Sequence, residues 1–231
     1  MEKDVIIACD FNTKEEMNNF LLNFKEEKPF IKIGMELFYA TGIEYVKELK
    51  AKGYKIFLDL KLHDIPNTVY KTIKVLAKLD VDILNVHASG GKKMMLAAKK
   101  AILESEKKTK LIAVTQLTSI CENQLKEDLL INESLINCVK HYALNAKTCD
   151  LDGIVCSPNE VIDVNSVCDD FITITPGIRM EDDEKEDQVR ITTPKRAKEL
   201  GSTFIVVGRS IIKEKDPYKK YLKIKKEFLE D

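Results

Sequence analysis

Arginine is scarce in this chain. Of 37 basic residues in 231, only Arg179, Arg190, Arg196 and Arg209 are arginine; the rest are lysine. A planar guanidinium suits bidentate phosphate recognition better than a lysine ammonium does, so each arginine's position carries information. An excess of one charge is missing too. The 37 basic and 38 acidic residues leave a formal charge of −1, which argues against the basic footprint of a nucleic-acid-binding protein. No stretch of 18 apolar residues occurs, and residues 1–4 lead directly into the short apolar run 5–9 without a long leader-like segment. A soluble, cytoplasmic protein with no membrane partner is expected. Six cysteines, at 9, 121, 138, 149, 156 and 168, show no CxxC spacing and have no flanking histidines. They point to neither zinc nor a disulfide framework, but to reduced, mostly structural thiols. Linkers rich in Pro, Gly or Ser are lacking as well, so residues 1–231 are expected to form one domain.

What is present is an alternation. Eight short apolar runs, at 5–9, 30–34, 55–60, 82–86, 111–115, 153–156, 171–174 and 204–207, are separated by longer stretches with helical apolar spacing, such as 14–24, 42–52, 69–79 and 92–106. Strands alternating with helices imply βαβ units and a parallel sheet. Eight such units in this length predict a single closed (β/α)₈ barrel of the TIM type, with its site on the loops after the strands' C-terminal ends. The span 115–153 leaves room for more than one helix. Thr193, Pro194 and Gly201 supply an N-cap, a first-turn proline and a glycine after the end for a helix between strands seven and eight.

The third strand carries the chemistry. In the segment 56–64, alternation puts Leu58, Leu60 and Leu62 on the face toward the helices, and Phe57, Asp59, Lys61 and possibly His63 on the face toward the barrel axis. A carboxylate and an ammonium inside a barrel are costly unless paired with each other or with a ligand. A buried ion pair that merely closes the barrel is the plainer reading. Two further ionisable residues weigh against it: Asp10 ends the first strand in phase with Ile6 and Ala8, and Lys32 lies in the second in phase with Phe30 and Gly34. Charges on three consecutive strands near one rim are the pattern of a site. An alternating Lys-Asp-Lys-Asp network would keep Lys61 protonated, the form that can donate a proton. Asp64 breaks the alternation and belongs to the following loop.

These residues carry a resemblance. Asp59-x-Lys61-x-x-Asp64-Ile65-Pro66-Asn67-Thr68 resembles the signature of the orotidine 5′-phosphate decarboxylase family. Segments around Asp10, Lys32, His87, Thr118, Pro176-Gly177-Ile178-Arg179, Asp187-Gln188-x-Arg190 and Gly208-Arg209-Ser210 extend the likeness over residues 4–213. The resemblance implies decarboxylation of orotidine 5′-phosphate to UMP without a cofactor or metal. It implies that Asp10 and Lys32 hold the ribose hydroxyls, and that Asp59 lies beside the substrate carboxylate. Lys61 would protonate C6 of the pyrimidine, and Thr118 would approach the ring. Pro176 and Arg179 would belong to the loop after strand seven, and Gln188, Gly208 and Arg209 would bind the 5′-phosphate. It also implies a homodimer, in which Asp64 and Thr68, in the segment with Ile65 and Pro66, reach the neighbouring subunit's site.

The phosphate assignment has support of its own. Barrels often bind phosphate with the loops after strands seven and eight, and two of the four arginines fall there. Residues 177–193 read as a mobile lid with Gly177 as part of its hinge, and the acidic side chains of 180–187 as its solvated surface. His63 departs from the family's usual apolar or aromatic residue and reads as a rim or interface histidine. His87 reads as a supporting group, and His141 as a surface residue. The competing readings are a Mg²⁺-dependent sugar-phosphate decarboxylase or synthase on a related barrel, and a barrel that binds nucleotides without turnover.

Overall fold

In the computed structural model, which describes residues 3–181 and 192–230, the expected barrel closes. Its strands are β1 (Asp4–Ala8), β2 (Phe30–Gly34), β3 (Ile56–Leu62), β4 (Ile83–His87), β5 (Lys110–Val114), β6 (Gly153–Val155), β7 (Ile172–Thr175) and β8 (Phe204–Val207). Each pairs in parallel with its sequence neighbour, and β8 returns to β1. Every strand lies within two residues of the run that predicts it.

The alternation along each strand divides the core in two. Ile6, Ala8, Phe30, Phe57, Ile83, Ile112, Ile172, Ile174, Phe204 and Val206 fill the barrel interior. Their neighbours, such as Val5, Ile7, Ile31, Ile33, Ile56 and Leu58, pack outward under the helices. Bulky residues on the inside make the barrel a packed core rather than a pore. The helices bury one stripe each: in Pro66–Ala77 the buried positions are Val69, Ile73, Leu76 and Ala77, the spacing of a single helical face. Cys121 is exposed, and the other five cysteines are buried, free thiols.

The other helical expectations hold with two differences. Two helices, Glu122–Glu127 and Leu135–Thr148, occupy the long span after β5. The Thr193 hydroxyl accepts from the Arg196 amide at 3.2 Å and caps Pro194–Glu199, and Gly201 takes φ 92° beyond its end. The helix expected from residue 42 instead begins at Met35, and Gly42, at φ 72° and ψ −174°, interrupts Met35–Ala51. Apolar spacing locates the second half of that helix, but a glycine that breaks it is invisible to periodicity. The helix after β3 likewise starts at Pro66 rather than 69, because proline is well placed in a first turn. Among the described residues, no helix is long and apolar enough to cross a membrane.

One contact in the barrel wall is unusually tight. A Cβ added at Gly153 would lie 2.3 Å from the carbonyl oxygen of Ile172 and 2.4 Å from its Cβ. Only glycine lets β6 approach β7 this closely. Gly153→Ala is expected to cost about 1–3 kcal/mol by overpacking and to lower Tm by roughly 2–10 °C. A melting curve unchanged within a degree would contradict this close packing.

Candidate active site

At the C-terminal ends of the strands the barrel opens into a cavity of about 320 Å³. Its wall is charged on β1 to β3, with Asp10, Lys32, Asp59 and Lys61. It is apolar on β5 and β6, through Val114, Leu117 and Val155, and it carries Arg179 and Arg209 beyond β7 and β8. Of the ten residues expected to form one site within a single chain, nine line this cavity: Asp10, Lys32, Asp59, Lys61, Thr118, Pro176, Arg179, Gly208 and Arg209. The tenth, Gln188, lies outside the described residues, as do Arg190 and most of the segment read as a lid. Of that segment, Gly177 takes φ 85°, and the backbone is anchored by a bridge between Ile178 and Thr192, in which the Arg179 N–H donates to the Thr192 carbonyl and the Thr192 N–H to the Gly177 carbonyl, each at 3.0 Å.

The charged wall is one connected chain. The Lys32 ammonium donates to Asp10 Oδ1 at 3.0 Å and sits 3.5 Å from Asp59 Oδ2. Lys61 Nζ donates to Asp59 Oδ1 at 2.8 Å. Burial would push the Asp59 carboxyl up, but Lys32 and Lys61, with the hydrogen bonds from Lys61 and Asn85, outweigh it and hold Asp59 below the usual carboxylate range. Burial likewise disfavours the Lys32 cation, yet Asp59 and Asp10 raise it above the ordinary lysine value. Asp59 and Lys32 are thus both held in their charged forms at neutral pH. Cys9, directly before Asp10, stays a thiol because burial, then the Asp10 charge, raises it.

The strand that carries Asp59 and Lys61 is irregular. Pairing of β3 with β4 runs Phe57↔Ile83 and Leu58↔Leu84, then resumes only at Leu62↔Val86. Inside that bulge Lys61 adopts φ 50°, a left-handed conformation that costs a residue with a side chain on the order of 1–3 kcal/mol. Strict alternation therefore does not extend through Lys61. His63, offered to the axis by that alternation, is exposed and off the cavity, its ring 5.6 Å from that of His87. Burial, then His63 and Lys61, lower the His87 pKa, so His87 is neutral at physiological pH.

Asp64, Ile65, Pro66 and Thr68 stand apart from the cavity of their own chain. All four are exposed on the loop and first turn after β3, and Ile65 is 67% exposed. Asp64 Oδ1 accepts from the adjacent Ile65 amide, at 2.7 Å.

Sequence reasoning passed over Asn85. It is 1% exposed and follows Ile83 in phase on β4, so a polar residue pointing into the barrel beside Asp59 is legible in the run 83–87. Gln116 and Ser119, which also line the cavity, flank Thr118 and were equally passed over.

The buried network sets a stability test. In Lys32→Met, Asp59 keeps Lys61 but loses its other ammonium, and uncompensated buried charge is costly. A loss of about 2–3 kcal/mol at pH 7 is expected. Asp59, lowered in the fold, contributes above its unfolded pKa of about 4 and loses this as pH falls through its folded value. Lys32, raised in the fold, contributes below its unfolded pKa of about 10.4 and loses this as pH rises through its folded value. The gap between wild type and variant in urea unfolding should therefore be widest between those limits and narrow outside them. A gap independent of pH would contradict the network.

Comparison with known proteins identifies the family. The profile of the orotidine 5′-phosphate decarboxylase / HUMPS family matches residues 3–224. A curated relative from Bacillus cytotoxicus, named orotidine 5′-phosphate decarboxylase, is 51% identical over 99% of this chain and 98% of its own. The crystal structure of orotidine 5′-phosphate decarboxylase from Lactobacillus acidophilus superposes with a TM-score of 0.88 at 43% identity, covering 98% of this chain and 99% of that one. That of orotidine 5′-monophosphate decarboxylase from Methanocaldococcus jannaschii, complexed with the inhibitor BMP, covers 100% of both chains with a TM-score of 0.80. At 22% identity it speaks for the fold alone. This chain belongs to the orotidine 5′-phosphate decarboxylase / HUMPS family.

Proposed function

We propose that this family member is an enzyme that decarboxylates orotidine 5′-phosphate to UMP and CO₂, without metal or cofactor, in the cytoplasmic synthesis of pyrimidine nucleotides. The observation that carries the reading is the Lys61 ammonium held 2.8 Å from a buried, ionised Asp59 on β3, in a cavity that Arg179 and Arg209 also line from beyond β7 and β8. The name of the Bacillus relative at 51% identity supports the same substrate. The whole chain acts as one catalytic barrel.

The chemistry follows from what the cavity offers. Breaking the bond between C6 and the carboxylate leaves an electron pair in the plane of the pyrimidine ring, where the π system stabilises it poorly. The Lys61 cation stabilises that pair as it forms, then transfers a proton to C6, giving UMP; the neutral amine regains its proton from solvent. Asp59, beside the departing carboxylate, adds like-charge repulsion that ends when CO₂ leaves. Asp10 and Lys32 hold the ribose hydroxyls, and Thr118 and Pro176 bound the base. Gly208, Arg209, Arg179 and Gln188 take the phosphate, where a guanidinium fork and a glycine without a side chain suit close approach. Binding energy from that distant phosphate holds the reacting end in place.

The exposed position of Asp64, Ile65, Pro66 and Thr68 is what a homodimer would use, with Asp64 and Thr68 completing the partner's cavity. Two experiments test these proposals. The fall in ultraviolet absorbance of orotidine 5′-phosphate with EDTA-treated protein should show full turnover. Activity that vanishes with EDTA and returns with Mg²⁺ would instead favour a sugar-phosphate type of barrel. Lys61→Ala and Asp64→Ala proteins, each nearly inactive alone, should on subunit exchange recover roughly a quarter of wild-type activity, because in half of the dimers both lesions fall on one site. No recovery in dimers shown to have exchanged would contradict a shared site.

A further inference from the structure

The β3 bulge leaves the Lys61 amide without its ladder partner on β4, and one buried side chain replaces that partner. Asn85 Oδ1 accepts from the Lys61 backbone N–H at 2.8 Å, and Asn85 Nδ2 donates to Asp59 Oδ1 at 2.7 Å. The orientation of the amide is fixed by chemistry, because a backbone N–H can only donate and an ionised carboxylate can only accept. Asn85 sits on β4 between Leu84 and Val86, the residues that pair on either side of the irregularity. It therefore fills the gap in the ladder. We propose that Asn85 is a positioning residue: it holds Lys61 in its left-handed conformation and the Asp59 carboxylate in register, so that the ammonium and the carboxylate face the same reacting bond. The inference rests on the decarboxylase reading for its kinetic consequence, though not for its structural one.

The physical case is one of substitution. A strained backbone persists only where its surroundings over-determine it. Here the surroundings are Leu60 and Leu62 packed outward, the Lys61–Asp59 ion pair, and the Asn85 bridge. The ion pair alone leaves the lysine backbone unconstrained, because four methylenes lie between Nζ and Cα. The Asn85 contact acts on the backbone itself. It also contributes to keeping Asp59 ionised, alongside Lys32 from β2 and Lys61 from β3. Asp10 bears on this group through Lys32, and His87, with His63 against it, lies on the Lys61 side of the network.

Two variants of the full chain test the proposal. Asn85→Ala removes both hydrogen bonds. A misplacement near 1 Å costs roughly 10²-fold in rate, so kcat for orotidine 5′-phosphate is expected to fall by about that factor, while KM and the affinity for UMP stay within about threefold. Asn85→Asp keeps the size and the acceptor but places a second carboxylate against Asp59, which raises the pair's proton affinity. Once protonated, this carboxyl can donate to Asp59 as the amide did. Its kcat is expected to be low at about pH 8 and to rise about tenfold or more toward pH 5, a gain that the wild type does not show. A role confined to stability would lower Tm without producing that inverted profile. A kcat for Asn85→Ala within threefold of wild type, a proportional loss of UMP affinity, or a wild-type pH profile for Asn85→Asp would overturn the proposal. An inactive wild type would sink the decarboxylase reading alone. A crystal structure of Asn85→Ala would then decide this inference: Lys61 relaxing to negative φ supports it, and φ kept near its present value overturns it.

Discussion

The ion pairs around Asp59 are the constraint on which the rest of the site depends. A carboxylate inside a barrel loses most of its hydration, and only partners placed at hydrogen-bond distance restore what burial removes. Lys32 and Lys61 provide them, and each depends on a different strand being in register. β2 must pair so that Gly34 lies opposite Asp59 and Lys32 opposite Phe57. β3 must bulge so that the Lys61 side chain turns back on Asp59. Phe30, Phe57 and Phe204, with the aliphatic residues of the barrel interior, form the packed core that adjoins these charges. Fold and site are thus coupled: the register that packs the interior is also the one that alternates the charges.

The cavity divides its labour by chemical type. Groups able to exchange a proton line it from β1 to β3, and the permanently charged guanidiniums from beyond β7 and β8. That separation suits a substrate with a phosphate far from the bond that breaks, since affinity and chemistry are served by different residues. The loop after β3 adds a second division. Its polar residues face solvent in the single chain although Asp59 and Lys61, a few positions earlier, face inward. In the proposed homodimer those exposed residues would face the partner's cavity.

The strands and the charged chain were legible because both depend on period-two alternation, which a parallel barrel enforces strongly. Asp10, Lys32 and Asp59 each fall in phase with a bulky interior residue, and the structure joins them. The arginines were legible through their scarcity. Asn85 was passed over because a single neutral polar residue in a strand announces nothing until a carboxylate is known to lie beside it. The bulge at Lys61 was passed over for a related reason: nothing in the segment 56–62 is a glycine or a proline, and the left-handed backbone there is imposed from β4 rather than by local preference. Gly42 shows the converse, a local conformational preference hidden within an apolar helical pattern. The roles proposed for Asp64 and Thr68 need a second subunit and so leave no trace in the contacts of the single chain.

The central claim is that this network holds Lys61 ready to deliver a proton. The most direct measurement is kcat for orotidine 5′-phosphate in Lys61→Ala, made on protein whose folding and UMP binding match the wild type. A positioned general acid contributes about 10²–10⁴-fold, and here the same cation also stabilises the forming electron pair. A loss of more than about 10³-fold with UMP affinity retained is therefore expected. Turnover within tenfold of wild type would show that the proton comes from elsewhere and would contradict the account.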